Sequence, residues 1–387
     1  MQAKSSSSSF RLLVLFLTIV RAILHISTRM VYPFMLAFTR GMGVELQDIS
    51  HAIAVRASTG ALSPVLSPLS DRYGRKFGMV MGLVLFTLGA GALVFWPSFT
   101  TFFISQSLCY LGGYLFVSTV HAYLGDLVPY QQRGRVIALN EMSWSLSFIV
   151  GVPLMGLLIA RFGWAAPYPL LMGLGIAATM AALWRLPASR GAVSPNGVSI
   201  WSHLRSILLS RSAVTGLMMG LVFAMGNEVV VLIYGVWMEL TFGLKIAALG
   251  AVSVVFGLAD LGGEMLTAWL VDRLGKERSI AMGLVCNAAL VAILPWLAGL
   301  GVGGAIVGLF FFFMTYEITM VSSLPLMSEI LPHERATMMG INIAAVSLGR
   351  ALGALIAPLI FAISFRASTL ATVAFNLLAL LALSRIR

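Results

Sequence analysis

The chain has 387 residues, of which 59% are hydrophobic and only 10% charged, with a formal net charge of +11. Its mean hydropathy is +0.96. Soluble domains carry about 25% charged residues, so this composition excludes a water-exposed globular surface and is read as a polytopic membrane protein. The basic residues do not form one stripe; most fall in short gaps between apolar runs, which argues against a nucleic-acid partner.

Lys4, a serine tract and Arg11 precede the first apolar run, in the manner of a signal peptide. The run continues to about Phe38 through Arg21, His25 and Arg29, so an uncleaved first span is expected over 10–38. Span 2 covers 46–69. The loop Asp71-Arg72-Tyr73-Gly74-Arg75-Lys76 follows. Spans 3 and 4 cover 77–97 and 100–126, with Trp96-Pro97 at the turn. Span 5 covers 135–160 and span 6 covers 165–185. Residues 186–211 hold Pro187, Gly191, Pro195, Asn196 and Gly197 with Arg190, Arg205 and Arg211. This polar interval is the natural linker, and its 200–209 stretch is expected to form a short interfacial helix. Spans 7 to 12 cover 212–239, 245–270, 279–299, 302–329, 336–362 and 367–386. The chain thus divides into bundles over 1–185 and 212–387.

The first loop recurs. Asp272-Arg273-Leu274-Gly275-Lys276-Glu277-Arg278 lies 201 residues after it. A second pair of loops, around Asp126 to Arg133 and Glu329 to Arg335, recurs with Arg133 and Arg335 separated by 202 residues. Two landmarks at one offset imply duplicated halves. Of the 25 Lys and Arg residues, 17 fall in the gaps on the side of the N-terminus. Arg40, Arg161, Lys245 and Arg366 fall on the other side, and Arg21, Arg29, Arg56 and Arg350 lie within spans. This bias predicts both termini in the cytoplasm.

Twelve spans, a central linker and the loop Ser67-Pro68-Leu69-Ser70-Asp71-Arg72-Tyr73-Gly74-Arg75-Lys76 resemble the major facilitator superfamily, with the 12-span drug and metabolite:proton antiporters nearest in character. The resemblance implies an all-α fold of two pseudo-symmetric six-helix halves, a monomer by default and a cytoplasmic latch centred on Asp71. Arg72, Gly74, Arg75, Lys76, Asp272 and Arg273 are the other candidate gating residues. Ser67 replaces the family's leading glycine and is small enough to permit close packing. The span 4 arginine of the family is missing. Its place falls near Gln106, and a usual glycine falls near Tyr110. His121 is either its substitute or a packed histidine. Gly151-Val152-Pro153-Leu154-Met155-Gly156 with Gly163-Trp164 partly resembles the antiporter motif, with Ser147 at one glycine position. In span 11, Gly340, Gly349, Gly353 and Pro358 add to this, although close helix packing explains such residues equally well.

Ionisable groups inside spans are costly and usually face a cavity or a partner. Arg21, His25 and Arg29 share one face of span 1 by their spacing of four. Arg21 is expected to snorkel toward the cytoplasm, and Arg56 is read as structural or snorkelling. Span 5 begins with Asn140 and Glu141; span 7 carries Asn227 and Glu228, and span 8 Asp260 and Glu264. Span 10 carries Tyr316 and Glu317, and span 11 Asn342 and Arg350. The signs suggest a positive wall from span 1 facing an acidic wall from spans 7, 8 and 10. The candidate substrate-binding residues are Arg29, His25, Glu228, Asn227, Tyr316 and Arg350. The candidate proton carriers are Glu228, Glu317 and Asp260, because burial favours the protonated carboxyl and a neighbouring arginine the ionised one. Arg29 and Glu228 are expected at similar depth on opposite halves, where they can pair.

Cys109 and Cys286 lie in apolar runs and are read as small buried hydrophobes. No motif for catalysis, metal or nucleotide binding is present, so no enzyme, cofactor or metal site is expected. The expected function is proton-coupled export of a small organic compound across a bacterial inner membrane. The competing readings are uptake of an organic anion, favoured by Arg21, Arg29 and Arg350, a lipid or lysolipid flippase, and a non-transporting receptor.

Overall fold

A computed structural model describes residues 7–62, 70, 72–128, 130–187, 207, 209–331 and 335–386. Among them every regular element is helical, and eleven helices are long and apolar enough to cross a membrane. Span 1 is Ser7–Arg29, span 3 Arg75–Phe95, span 4 Phe99–Leu127 and span 6 Pro167–Arg185. Spans 7 to 12 are Arg211–Phe242, Ile246–Leu274, Lys276–Ala298, Val302–Ile330, Arg335–Ile363 and Phe365–Leu383. The second expected span is described as the helix Leu46–Thr59 and a 3-10 turn Gly60–Leu62. Most of the linker, including all but residues 207 and 209 of the interfacial helix expected over 200–209, lies outside the described residues.

Two spans depart from the continuous helices expected of them. Span 1 stops at Arg29, turns through Met30 to Phe34 and resumes as Met35–Met42. Pro33 explains the break: it has no N–H to donate and its ring crowds the carbonyl of Arg29, four residues earlier. Span 5 starts early, as Tyr130–Glu141 and Ser143–Leu146, then passes through a π segment, Ser147–Gly151, before Val152–Phe162. Pro153 again removes a donor, and a π turn is a common way for a helix to absorb such a defect. The apolar periodicity continues through both breaks, which is why composition alone reads single spans.

The two recurring loops make matching side-chain contacts. Gly74 and Gly275 precede spans 3 and 9 with φ values of 99° and 81°, a region that disfavours any side chain. Each starts a helix whose first residue reaches an acid near the end of the following span. Arg75 Nε donates to Asp126 Oδ2 at 3.0 Å, and Lys276 pairs with Glu329.

Span 3 packs on spans 4 and 6; span 7 packs on 11 and 12, and span 9 on 10 and 12. A methyl group at Gly82 would lie 2.6 Å from the Gly112 carbonyl oxygen, so spans 3 and 4 need glycine to touch. The N-terminal and C-terminal helices meet along two seams, span 2 against span 11 and span 5 against span 8. Ser50 donates to the Ala354 carbonyl on the first. On the second, Gly156 and Gly250 leave room for the Phe34 ring. Phe34, Met35 and Phe38 have no exposed surface, so this end is sealed. Beyond it, Arg40 of span 1 pairs with Glu239 of span 7 at 2.6 Å. Cys109 is buried as expected, but Cys286 is exposed on span 9, where an apolar run faces outward rather than into the bundle.

Candidate functional site

Below the sealed end lies a cavity of about 330 Å³, lined from spans 1, 2, 4, 5, 7, 8, 10 and 11. It extends toward the loop-bearing end, where its lining residues Leu324 and Ile343 are exposed. The broken helices shape it. Arg29 ends the first helix of span 1, where a cation favours the helix dipole, and Tyr32 sits inside the break.

Arg29 makes the strongest set of contacts across the seam. It donates to Asp260 Oδ2 at 2.8 Å and to the Trp144 carbonyl at 2.8 Å. Its guanidinium carbon lies 3.8 Å from the Trp144 ring centroid and 3.7 Å from that of Phe148. The pair is dry: the two side chains are 8% and 1% exposed. Buried in this way, a charge is tolerable only with its partner in place. Glu264 and Glu317 line the same corner, and Asp260 and Glu264 both act electrostatically on Glu317. Glu317 is 8% exposed and has no hydrogen-bond partner among the described residues.

Arg29 thus pairs with Asp260, and the pairing with Glu228 that was one of its options is not made. Glu228 Oε1 instead accepts from the Tyr32 hydroxyl at 2.8 Å, and that hydroxyl accepts from Arg56 Nη2 at 2.9 Å. Arg56 also donates to Gln106 Oε1 at 2.8 Å and to the Thr28 carbonyl at 3.1 Å. At 2% exposure it does not snorkel; it is turned inward and lines the cavity. A guanidinium from span 2 thus reaches the span 4 position where Gln106 stands. Arg350 lines the cavity close by, with one hydrogen bond, to the Tyr316 hydroxyl at 2.8 Å, and a buried Nε that has no partner among the described residues.

Arg21 does not snorkel either. It is 5% exposed and grips Glu141 through two nitrogens, at 2.8 and 2.6 Å, with Asn140 Oδ1 at 2.9 Å. His121 Nε2 lies 2.8 Å from Glu141 Oε1, and His25 Nε2 lies 3.3 Å from Arg21 Nε. Both histidines therefore belong to one polar cluster at the loop-side mouth. The signs do not separate by half, as span order suggested. Acids and arginines from both halves interleave, because side chains pair across the seam.

His25, Arg29, Glu228, Tyr316, Arg350, Asp260 and Glu317 all reach this cavity. Asn227 does not. It donates to Asn376, which donates to Asn287, in a buried chain within the C-terminal helices. One residue from Glu228, its side chain is rotated by about 100° and faces away. Of the gating candidates, Asp71 lies outside the described residues. Arg72 is exposed over Tyr73, Lys76 donates to the Leu183 carbonyl at 2.6 Å, Asp272 is exposed, and Arg273 lies 4.6 Å from the Trp269 ring. Sequence reasoning missed Tyr32, Trp144 and Phe148. A tyrosine beside a proline inside an apolar run was the available signal for the first; the other two look like ordinary core aromatics.

Comparison with known proteins agrees with this architecture. The chain is 34% identical over 153 residues to the MFS-type transporter YwfA of Bacillus subtilis, covering 33% of this chain and 37% of YwfA. It is 21% identical to Multidrug resistance protein 2 of Bacillus subtilis, over 86% of this chain and 84% of that one. The solved D-xylose-proton symporter superposes with a TM-score of 0.75 at 18% identity, covering 96% of both chains, which shows the fold. The Major Facilitator Superfamily model matches residues 17–342. Relatives and structural neighbours are transporters rather than enzymes, and the chain belongs to the Major Facilitator Superfamily.

Proposed function

We propose that this protein exports a small organic compound in exchange for protons, by alternating access about the central cavity. The observation that carries the reading is the Arg29–Asp260 pair, which ties span 1 to span 8 beside Glu317, a residue with no hydrogen-bond partner among the described residues. Protonation of this acidic corner weakens the hold of Asp260 on Arg29 and loosens one seam between the halves. A separable seam is what rocking requires. Glu317, Asp260 and Glu228 are the proton carriers, in that order. The relative named Multidrug resistance protein 2 supports export.

The protein has twelve spans, cytoplasmic termini and bundles over 1–185 and 212–387, and works as a monomer in a bacterial inner membrane. In that orientation the cavity faces inward. Asp71, with the Arg75–Asp126 and Lys276–Glu329 pairs, forms the latch; Asp71→Asn is expected to shift the inward-to-outward ratio measured by cysteine accessibility. Anion uptake keeps one argument, the under-satisfied Arg350, because Arg21 and Arg29 are held by Glu141 and Asp260.

The test is a pH-gradient transport screen in proteoliposomes with cationic, neutral and anionic compounds. It is repeated with Glu317→Gln, Asp260→Asn and Glu228→Gln singly. Parent-like, gradient-driven accumulation by all three variants refutes proton carriage by these residues. Movement that ignores the gradient in the parent refutes exchange altogether.

A further inference from the structure

We propose that the transported compound is a small zwitterion, its protonated amine held by Glu317 with Glu264 and its anionic group held by Arg350. This rests on reading the cavity as the transport site. Two independent observations point to the two charges of the ligand. Glu317 is more than nine-tenths buried, lines the cavity and has no hydrogen-bond partner among the described residues. Arg350 lines the same cavity and uses one of its five donors, on a tyrosine hydroxyl rather than on an acid.

The other charges do not satisfy these two. Arg29 is committed to Asp260, the Trp144 carbonyl and two aromatic faces. Glu228 is committed to Tyr32, and Arg56 to Tyr32, Gln106 and Thr28. Glu317 and Arg350 do not bond to each other, although they line one cavity. Neither forms an ion pair among the described residues, and leaving buried charged groups without a bonded partner at mid-membrane depth is costly. A purely cationic ligand satisfies the acids and brings its charge to Arg350 as repulsion. A purely anionic ligand does the reverse at three carboxyl groups. A zwitterion meets both in one binding event and adds no net charge to the cavity. Tyr32, Tyr110, Tyr114 and Phe313 line the same cavity and suit an apolar body. The volume of about 330 Å³ sets a small-molecule scale.

The experiment uses matched sets of four compounds, built on aromatic, aliphatic and dipeptide backbones. Each set contains the free amino acid, its C-terminal amide, its N-acetyl form and its N-acetyl amide; these are zwitterion, cation, anion and neutral. Binding to the purified full chain is measured by calorimetry, and movement by counterflow in proteoliposomes. In the best-bound set the zwitterion is expected to bind about tenfold or more tighter than the other three. Glu317→Gln is expected to erase the advantage of the free amine, and Arg350→Gln that of the free acid, each leaving the other preference in place. A cation or anion that binds as well as its zwitterion overturns the proposal, and so does the absence of binding from every set. Selective binding of the zwitterion without movement leaves this site standing and refutes transport instead. Movement without charge preference refutes the zwitterion alone.

Discussion

Two corners of one cavity hold opposite excesses of charge. Around Arg29 stand three carboxyl groups, Asp260, Glu264 and Glu317, and the arginine is bonded to the first and to the Trp144 carbonyl. Around Glu228 stand two arginines, Arg56 and Arg350, and the carboxylate is held by a tyrosine hydroxyl. In the first corner the cation is structural and the surplus acid is available. In the second the acid is hydrogen-bonded to Tyr32, and Arg350 keeps a buried Nε with no partner among the described residues. Residue type therefore does not reveal role here; the number of committed partners does. A buried charge that has its hydrogen bonds holds helices together, whereas one that lacks them is ready for a ligand or a proton.

The largest expected effect comes from breaking the committed pair. Asp260→Asn removes the one acid hydrogen-bonded to the buried Arg29, and destabilisation of about 3–5 kcal/mol is expected. Thermal unfolding in detergent measures it. The double variant Arg29→Leu with Asp260→Leu is expected to recover most of the stability while gradient-driven transport stays lost. Equal stability for Asp260→Asn and parent removes the pair from its structural role.

Tyr32→Phe comes next. It deprives Glu228 of a donor and Arg56 of an acceptor, at a cost of about 1–3 kcal/mol in the same assay. It also tests whether the hydroxyl links the two halves, because Tyr32 and Glu228 come from different ones. A melting temperature matching that of the parent means that water replaces the hydroxyl without loss.

Glu317→Gln sharpens the contrast. Removing one of three neighbouring negative charges is expected to leave the melting temperature unchanged or raised, yet to abolish coupling to the gradient. A destabilised but active variant reverses the assignment and makes Glu317 structural. The smallest effect is expected from Lys276→Gln at the loop-side surface. Its partly exposed pair with Glu329 contributes about 0–1 kcal/mol. The change should appear in the accessibility ratio of the two faces rather than in unfolding.

Composition and apolar run length were enough to determine a polytopic, all-helical membrane protein, because the bilayer dictates run length and forces charge into the gaps. They also placed Glu228, Asp260, Glu317, Arg29 and Arg350 in spans, where each is too costly to be incidental. The partners were not legible. Arg29 meets Asp260 from 231 residues away, and Tyr32 meets Glu228 from 196. Such contacts depend on the register in which two separate bundles meet. Helical rotation decided that Asn227 turns into its bundle while Glu228 faces the cavity, and tertiary burial decided that Arg56 and Arg21 point inward. The breaks at Pro33 and Pro153 were local in cause, yet only packing showed their use. One places Tyr32 between the halves; next to the other, Trp144 presents its carbonyl to Arg29. Sequence determined which charges enter the membrane because transfer energy acts on each residue separately. Structure decided which remain uncommitted, because pairing depends on the geometry of two groups at once.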